Sequence, residues 1–190
     1  MPLVDWQGPG LALVNAIVWV VIHLSVGYLA ARVDEARFDP GHWLFRSRAW
    51  ERDGVLYQRL LRVRRWKGLL PSGGTVFGAF TIHRLRSHDR AYLSRWLAES
   101  CRAEMTHWVA ILPVVLFLLW NPPLAWAMNM VYAIVANVPC IIAQRYNRPR
   151  VLHLLRKQER RATMPSLWPD LGADRLPPTT PGRLGRLRSP

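Results

Sequence analysis

Basic residues are missing from two long stretches of this chain, residues 1–31 and 103–144. All 26 lysines and arginines lie in the remaining segments, 32–102 and 145–190. The stretches without basic residues are also the most apolar, and lysine and arginine collect on the cytoplasmic side of membrane spans. This distribution therefore predicts a multi-pass membrane protein whose polar segments lie in the cytoplasm.

Cysteine is scarce, and the start of the chain lacks the charge of a secretory leader. Cys101 and Cys140 are the two cysteines, and both are predicted near the reducing cytoplasmic face, so neither a disulfide nor a cysteine metal motif is expected. No basic residue precedes the first apolar run, whereas a secretory signal has a positive start and a shorter apolar core. We therefore expect the first run to be a retained helix.

Three apolar runs predict the fold class. They cover residues 11–31, 108–120 and 124–143, and only Asn-Pro-Pro separates the second from the third. A spanning helix needs about 20 mostly apolar residues, and the positive charge places the N-terminus outside and the C-terminus inside. The sequence therefore predicts an all-α integral membrane protein with three transmembrane helices (N-out, C-in) and cytoplasmic interfacial amphipathic helices.

The polar segments have an interfacial composition, with aromatic side chains interleaved among arginines. Val55–Trp66 and His83–Arg102 are predicted as amphipathic helices on the inner leaflet. A tail rich in proline is predicted to be disordered. The predicted segments are an external N-terminus (1–10), helix 1 (11–31), a cytoplasmic or interfacial helical region (32–102), a transmembrane hairpin (103–143), a basic cytoplasmic helix (144–161) and the disordered tail (162–190).

Polar side chains at the cytoplasmic end of the hairpin form a first candidate site. If the turn centres on its first proline, positions of equal depth sum to about 244 at the helical rise. His107 then lies level with Asn137, and Gln144 with Ser100. Glu104 shares a helix face with His107 because the two are three residues apart. Since polar groups within spans are costly and mark function, we predict an acid, an imidazole and an amide near one level.

Histidine can act as a general base at neutral pH, and a carboxylate on the same face can orient it. No serine lies in a strand–turn–helix elbow, which favours direct transfer without an acyl-enzyme. The open alternative is that Glu104 and His107 form a polar pair that only ends a helix. Glu-x-x-His also occurs in di-iron bundles, but these need a second copy of the motif, so no metal is predicted.

The basic cluster Arg145, Arg148 and Arg150 is a second candidate site, because guanidinium groups bind phosphate bidentately. Lys67, beside a Pro/Gly loop, could cap a phosphate. The alternative is a purely topological role for these charges. A net charge of +14 would suit nucleic acid in a soluble protein, but beside membrane spans it indicates anionic headgroups. No nucleic-acid partner is therefore expected.

Three segments resemble a known family: Arg102–Pro113, Tyr132–Pro139 with its Ala-Asn-Val-Pro, and Gln144–Arg150, which reads Gln-Arg-Tyr-Asn-Arg-Pro-Arg. They resemble the bacterial glycosyl-4,4'-diaponeurosporenoate acyltransferases of the staphyloxanthin-type carotenoid pathway. A weaker likeness covers Phe45 and Arg62–Lys67. The resemblance implies a membrane acyltransferase that esterifies a sugar hydroxyl of a glycosylated carotenoid, or a related glycosylated lipid, with a fatty acyl group. The acyl thioester, such as acyl-CoA, would be a co-substrate, and no resident cofactor is expected.

On this interpretation the matching positions predict specific roles. His107 takes the proton of the sugar hydroxyl, Glu104 orients His107, and Asn137 donates to the developing oxyanion. The residues predicted to bind the substrate or donor are Lys67, Gln144, Arg145, Tyr146, Asn147, Arg148 and Arg150.

The predicted location is the bacterial plasma membrane. The expected partners are the lipid bilayer, the glycosylated carotenoid, the acyl donor and other enzymes of the carotenoid pathway. Two alternatives stay open. One is a membrane methyltransferase of the isoprenylcysteine type, which would bind S-adenosylmethionine in place of acyl-CoA. The other is a non-catalytic membrane subunit of a lipid or terpenoid pathway.

Overall fold

The computed structural model describes residues 8–70, 80–82 and 85–163, and within these ranges every regular element is helical. The α-helices are α1 (Pro9–Arg32), α2 (Val55–Leu61), α3 (Val63–Trp66), α4 (Arg90–Ile111) and α5 (Pro123–Thr163). Short 3-10 helices cover Glu35–Arg37, Ala49–Gly54, Lys67–Leu69 and Leu112–Leu119.

Three helical stretches are long and apolar enough to cross a membrane: Pro9–Arg32, Arg90–Leu119 and Pro123–Ala162. Their most apolar windows have mean hydropathies of 2.0, 1.5 and 1.6, and at most 28% of any window is buried inside the protein. Apolar side chains that remain on the outside of a helix bundle are suited to lipid rather than water. The prediction of an all-α membrane fold with three helices of spanning length is confirmed.

Helix α1 packs along the hairpin of α4 and α5. Near its start, Asn15 exchanges side-chain hydrogen bonds with Asn121 at the hairpin turn, at 2.7 and 3.1 Å, and Trp120 donates to Asn15 at 2.8 Å. Just beyond its other end, Arg102 donates to the carbonyl of Val33 at 3.1 Å. Helix α1 is therefore antiparallel to α4, and the hairpin turn lies opposite the arginine-rich end of the bundle, here called the basic end.

The hairpin differs from the predicted boundaries at both of its arms. Helix α4 continues as the 3-10 stretch Leu112–Leu119. Pro113 lies near the start of this stretch, where the backbone N–H that proline lacks would have no partner in the helix. Helix α5 is one helix of 41 residues with Pro139 and Pro149 inside it. The predicted third span and the predicted basic helix 144–161 are therefore continuous, since side chains on both parts pack against α4.

Two predicted interfacial helices are shorter than expected. Val55–Trp66 is not one helix, because Arg62 adopts a left-handed conformation with φ 49° and separates α2 from α3. The helix predicted from His83 begins at Arg90, after a turn in which the Asp89 amide donates to Ser87 Oγ at 3.0 Å. His83 itself and the predicted tail beyond residue 163 lie outside the described residues.

The segment between α1 and α2 folds against the hairpin at the basic end. Phe38 and Phe45 form a buried cluster with Ala98 and Cys101 of α4. The segment then ends in three consecutive left-handed residues, Arg52, Asp53 and Gly54, with φ 47°, 51° and 82°. This tight bend brings the start of α2 onto α5.

Gly54 should not tolerate a side chain. An added Cβ would lie 3.0 Å from the backbone oxygen of Tyr146 and 3.1 Å from its Cα, at a φ of +82°. We expect Gly54→Ala to cost about 1–3 kcal/mol of unfolding free energy, measured as a lower thermal midpoint in detergent. Gly68→Ala is the matched control, because its Cβ would meet nothing within 4 Å. Equal midpoints for the two variants would contradict the assigned bend.

Candidate active site

His107 on α4 and Asn137 on α5 form a polar pair in the otherwise apolar hairpin. Nδ1 of His107 lies 2.9 Å from Oδ1 of Asn137, and Asn137 is 1% exposed. This contact agrees with the predicted register, which placed the two residues at one depth. Ser100 donates to Gln144 at 3.2 Å, so the register also holds at the basic end.

The surroundings of Asn137 determine which nitrogen of His107 carries the proton. Asn137 Nδ2 donates to the carbonyl of Ala133 at 2.9 Å, which identifies the other amide atom as an acceptor. His107 must therefore donate through Nδ1, which leaves Nε2 as the basic nitrogen. Among the described residues no hydrogen-bond partner faces Nε2. When the imidazole is neutral, this contact selects the tautomer that a general base needs, with its lone pair on Nε2.

Glu104 does not contact His107 in the way that its spacing suggested. Its carboxylate accepts from Arg145 Nε at 2.7 Å, pairs with Arg148 at 2.6 Å and accepts from Trp108 at 3.4 Å. The structure gives it no hydrogen bond to His107 within the described ranges. Residues three apart share a helix face, but two guanidinium groups on α5 attract this carboxylate away from the imidazole.

Arg145 and Arg148 join three parts of the chain. Arg145 donates to Glu51 at 2.8 Å and to the Leu44 carbonyl at 2.8 Å, in addition to Glu104. Arg148, 2% exposed, donates to the carbonyls of Phe45 and Ser100 at 2.7 and 3.1 Å. Both side chains are occupied inside the protein, so the structure provides them no path to an external phosphate.

Glu51 is a member of this network that the sequence analysis did not single out. It accepts from the Tyr57 hydroxyl at 2.6 Å and from the Arg48 amide at 2.7 Å. Burial alone would raise the pKa of Glu51, but these hydrogen bonds and Arg145 outweigh burial and lower it. Burial and the bond to Glu51 raise the pKa of Tyr57. No local motif marked Glu51, because Arg145 is far away in the chain.

The remaining predicted donor-binding residues form a smaller cluster beside this network. Lys67 donates to Asn147 at 2.6 Å and lies 5.2 Å from the Tyr146 ring centroid. The guanidinium carbon of Arg150 lies 3.6 Å from the centroid of the same Tyr146 ring, and Arg150 also donates to the Tyr146 carbonyl. Burial, then Arg150 and Arg64, lower the pKa of Lys67. Lys67 thus ties the end of α3 to α5.

An open cleft of about 580 Å³ lies at the basic end, between the segment after α1 and the last third of α5. The cleft contains the exposed arginines Arg46, Arg150 and Arg156, of which only Arg150 was predicted as a binding residue. Its lining residues are Pro40, Gly41, Arg46, Ser47, Asp53, Pro149, Arg150, Leu152, His153 and Arg156. Its near edge at Pro149 lies twelve residues beyond Asn137, which is about 18 Å along the helix.

The three apolar helices indicate a membrane protein, and the oriented histidine on one of them is a group capable of acid–base chemistry. The sequence profile of the glycosyl-4,4'-diaponeurosporenoate acyltransferase family matches residues 41–157. Two curated relatives of that name come from Staphylococcus aureus strains bovine RF122 / ET3-1 and MRSA252. They are 35% and 34% identical over 144 residues, 75% of this chain and 87% of each relative. No solved structure gives a significant match.

The chain therefore belongs to the glycosyl-4,4'-diaponeurosporenoate acyltransferase family, as the sequence resemblance predicted, and it is an acyltransferase. The matched range contains the His107–Asn137 pair, the buried ion pairs and every cleft-lining residue except Pro40. It begins beyond α1.

Loss of the Glu104 charge should destabilise the fold. Removing one partner of a buried ion pair costs about 3–5 kcal/mol, and Glu104 is 0% exposed between two arginines. We expect Glu104→Gln to lower the thermal unfolding midpoint strongly. Glu35→Gln is the control, because that carboxylate is exposed and pairs with Arg95 at 3.7 Å. A midpoint for Glu104→Gln as high as that of the control would refute the buried network.

Stability should also depend on pH through Glu51. Its pKa in the folded chain is below the ordinary 4.5, so it stabilises the fold above that pH and loses the effect as pH falls through the lowered value. We expect the midpoint difference between wild type and Glu51→Gln to be constant from pH 6 to 8 and to shrink below about pH 4.5. Tyr57→Phe should move that loss to higher pH. A difference independent of pH would count against the assignment.

Proposed function

We propose that this enzyme transfers a fatty acyl group from an acyl thioester to a sugar hydroxyl of a glycosylated carotenoid or a related glycosylated lipid. The relatives are named as acyltransferases of glycosyl-4,4'-diaponeurosporenoate, and the His107–Asn137 pair is the observation that supports the chemistry. An acyl chain and a carotenoid are both apolar, so a base within an apolar hairpin is placed where both can approach it from the bilayer.

In the proposed reaction, His107 Nε2 takes the proton of the sugar hydroxyl while the hydroxyl oxygen attacks the carbonyl carbon of the thioester. The new C–O bond forms, the C–S bond breaks, and the imidazolium returns its proton to the leaving thiolate. Histidine is therefore neutral before and after each turnover. No acyl-enzyme intermediate is needed, because the hydroxyl itself is the nucleophile.

Asn137 takes the orienting role in this proposal, in place of the predicted donation to the oxyanion, because its Nδ2 already donates to the Ala133 carbonyl. Its carbonyl oxygen holds Nδ1–H of His107, as asparagine does in the Cys-His-Asn variant of the catalytic triad. Glu104 acts at a distance from the chemistry, because its ion pairs with Arg145 and Arg148 fix α4 against α5. The depth at which His107 meets Asn137 depends on that alignment.

We further propose the N-out, C-in orientation in the bacterial cell membrane, with the basic end at the cytoplasmic interface. Arginines at the ends of all three long helices lie on this side, in accord with the positive-inside rule. Exposed Trp43 and Trp50 lie on the same side, at 61% and 59% exposure, as do Leu60 and Leu69 at 68% and 84%. Such side chains anchor a polar region at the headgroup level.

Acylation should be lost when the proposed base is removed. We expect His107→Ala to lower the rate by a factor of about 100 or more, the usual contribution of a general base. The assay is mass spectrometry of pigments from a host that makes a glycosylated carotenoid, where wild type adds the mass of one fatty acyl group. Exposed His88, replaced by alanine, is the matched control and should retain wild-type product.

Two further results would decide against parts of the proposal. Product that survives His107→Ala would reject the base, although not the reaction. No product from wild type, with protein present in the membrane, would reject the carotenoid acceptor.

Asn137→Ala should lower kcat while KM for the donor stays unchanged, because Asn137 positions the base and does not contact the donor.

A further inference from the structure

We propose that the cleft at the basic end binds the phosphate groups of a coenzyme-A-type acyl donor, with Arg46 and Arg156 as principal ligands. This inference rests on the proposed function, because it assigns the donor site of that reaction. The sequence predicted Arg145, Arg148 and Lys67 for this role, but their side chains are bound to other groups of the protein. The cleft offers other arginines that are exposed instead.

The charges in the cleft are suited to a polyanion. Arg46, Arg150 and Arg156 are all exposed and line the cleft together, against one lining carboxylate, Asp53. Arg46 and Arg156 make no side-chain hydrogen bond or ion pair within the part of the chain that the structure describes. Three guanidinium groups against one carboxylate give the cleft a positive potential, which attracts phosphate, and each guanidinium can donate bidentate hydrogen bonds to it.

The walls of the cleft are held in place by the buried network. In the segment after α1, Phe45 next to Arg46 accepts a hydrogen bond from Arg148 of α5. The same segment contributes Asp53 to the cleft lining, and Asp53 belongs to the left-handed pair Arg52 and Asp53. Backbone strain of this kind persists only where surrounding structure holds it and is concentrated at functional sites. The volume of about 580 Å³ falls in the usual range of small-molecule sites, roughly 300–1,000 Å³.

The distance from the near edge of the cleft to the depth of His107 is close to the length of a phosphopantetheine arm. The near edge at Pro149 lies about 18 Å along α5 from Asn137, the partner of His107. A phosphopantetheine arm has thirteen bonds between phosphorus and sulfur, and an extended chain advances about 1.2 Å per bond, or about 16 Å in all. Arg156 lies farther out, nineteen residues or about 28 Å along α5 from Asn137, where it can meet the phosphates of coenzyme A that extend beyond the arm. A first phosphate at the Pro149 edge of the cleft therefore brings the thioester close to the depth of the proposed base.

Phosphate also occurs in anionic lipid headgroups, so the test separates the two sources. Full-length protein in nanodiscs of phosphatidylcholine alone is titrated with coenzyme A by calorimetry. We expect binding to wild type and a Kd at least ten-fold higher for the double variant Arg46→Gln/Arg156→Gln. The matched control Arg59→Gln/Arg160→Gln removes two exposed arginines outside the cleft and should stay within two-fold of wild type. Pantetheine, which lacks phosphate, should not compete.

The proposal is overturned if wild type does not bind coenzyme A, if the control loses as much affinity, or if pantetheine competes equally. It is also overturned if the cleft variant keeps its affinity for coenzyme A but loses a preference for nanodiscs that contain phosphatidylglycerol, since the cleft would then bind headgroups. The titration needs no acceptor and no turnover. Binding of coenzyme A without acylated pigment would therefore reject the carotenoid acceptor of the proposed function and support the donor site, whereas acylation with unchanged binding in the cleft variant would reject the donor site.

Discussion

The fold depends on two carboxylates and two guanidinium groups that are buried together at the basic end. Glu104 and Glu51 are 0% and 1% exposed, and Arg145 lies between them at 2.7 and 2.8 Å. Buried charges of this kind are costly unless each is paired and hydrogen-bonded. Because their partners come from α4, α5 and the segment before α2, the network permits only one arrangement of these three elements.

That arrangement separates two kinds of polar chemistry. The His107–Asn137 pair lies in the apolar hairpin about one helical turn from the buried network, whereas the exposed arginines of the cleft lie beyond that network. A single continuous helix carries both Asn137 and Arg150, so their separation is set by the helical rise. In the proposed reaction this separation suits the two substrates, because an apolar acceptor and a charged donor have opposite preferences for lipid and water.

Sequence reasoning succeeded where local rules apply. The short Asn-Pro-Pro link makes the hairpin antiparallel, and counting from the turn predicts that His107 meets Asn137, which the hydrogen bond at 2.9 Å confirms. The same reasoning was less accurate for element boundaries. It missed the left-handed break at Arg62 and the start of α4 at Arg90, since a single bend needs no change in the apolar pattern.

The sequence by itself determined the three helices of spanning length, the register of the hairpin and the family. These follow from apolar run lengths, charge placement and motifs that are each contained in one stretch of chain. Only the tertiary structure decided which arginines are buried in ion pairs and which remain exposed in the cleft. The physical reason is that every arginine carries the same charge, and its partner is chosen by packing between distant segments, as when Glu51 meets Arg145.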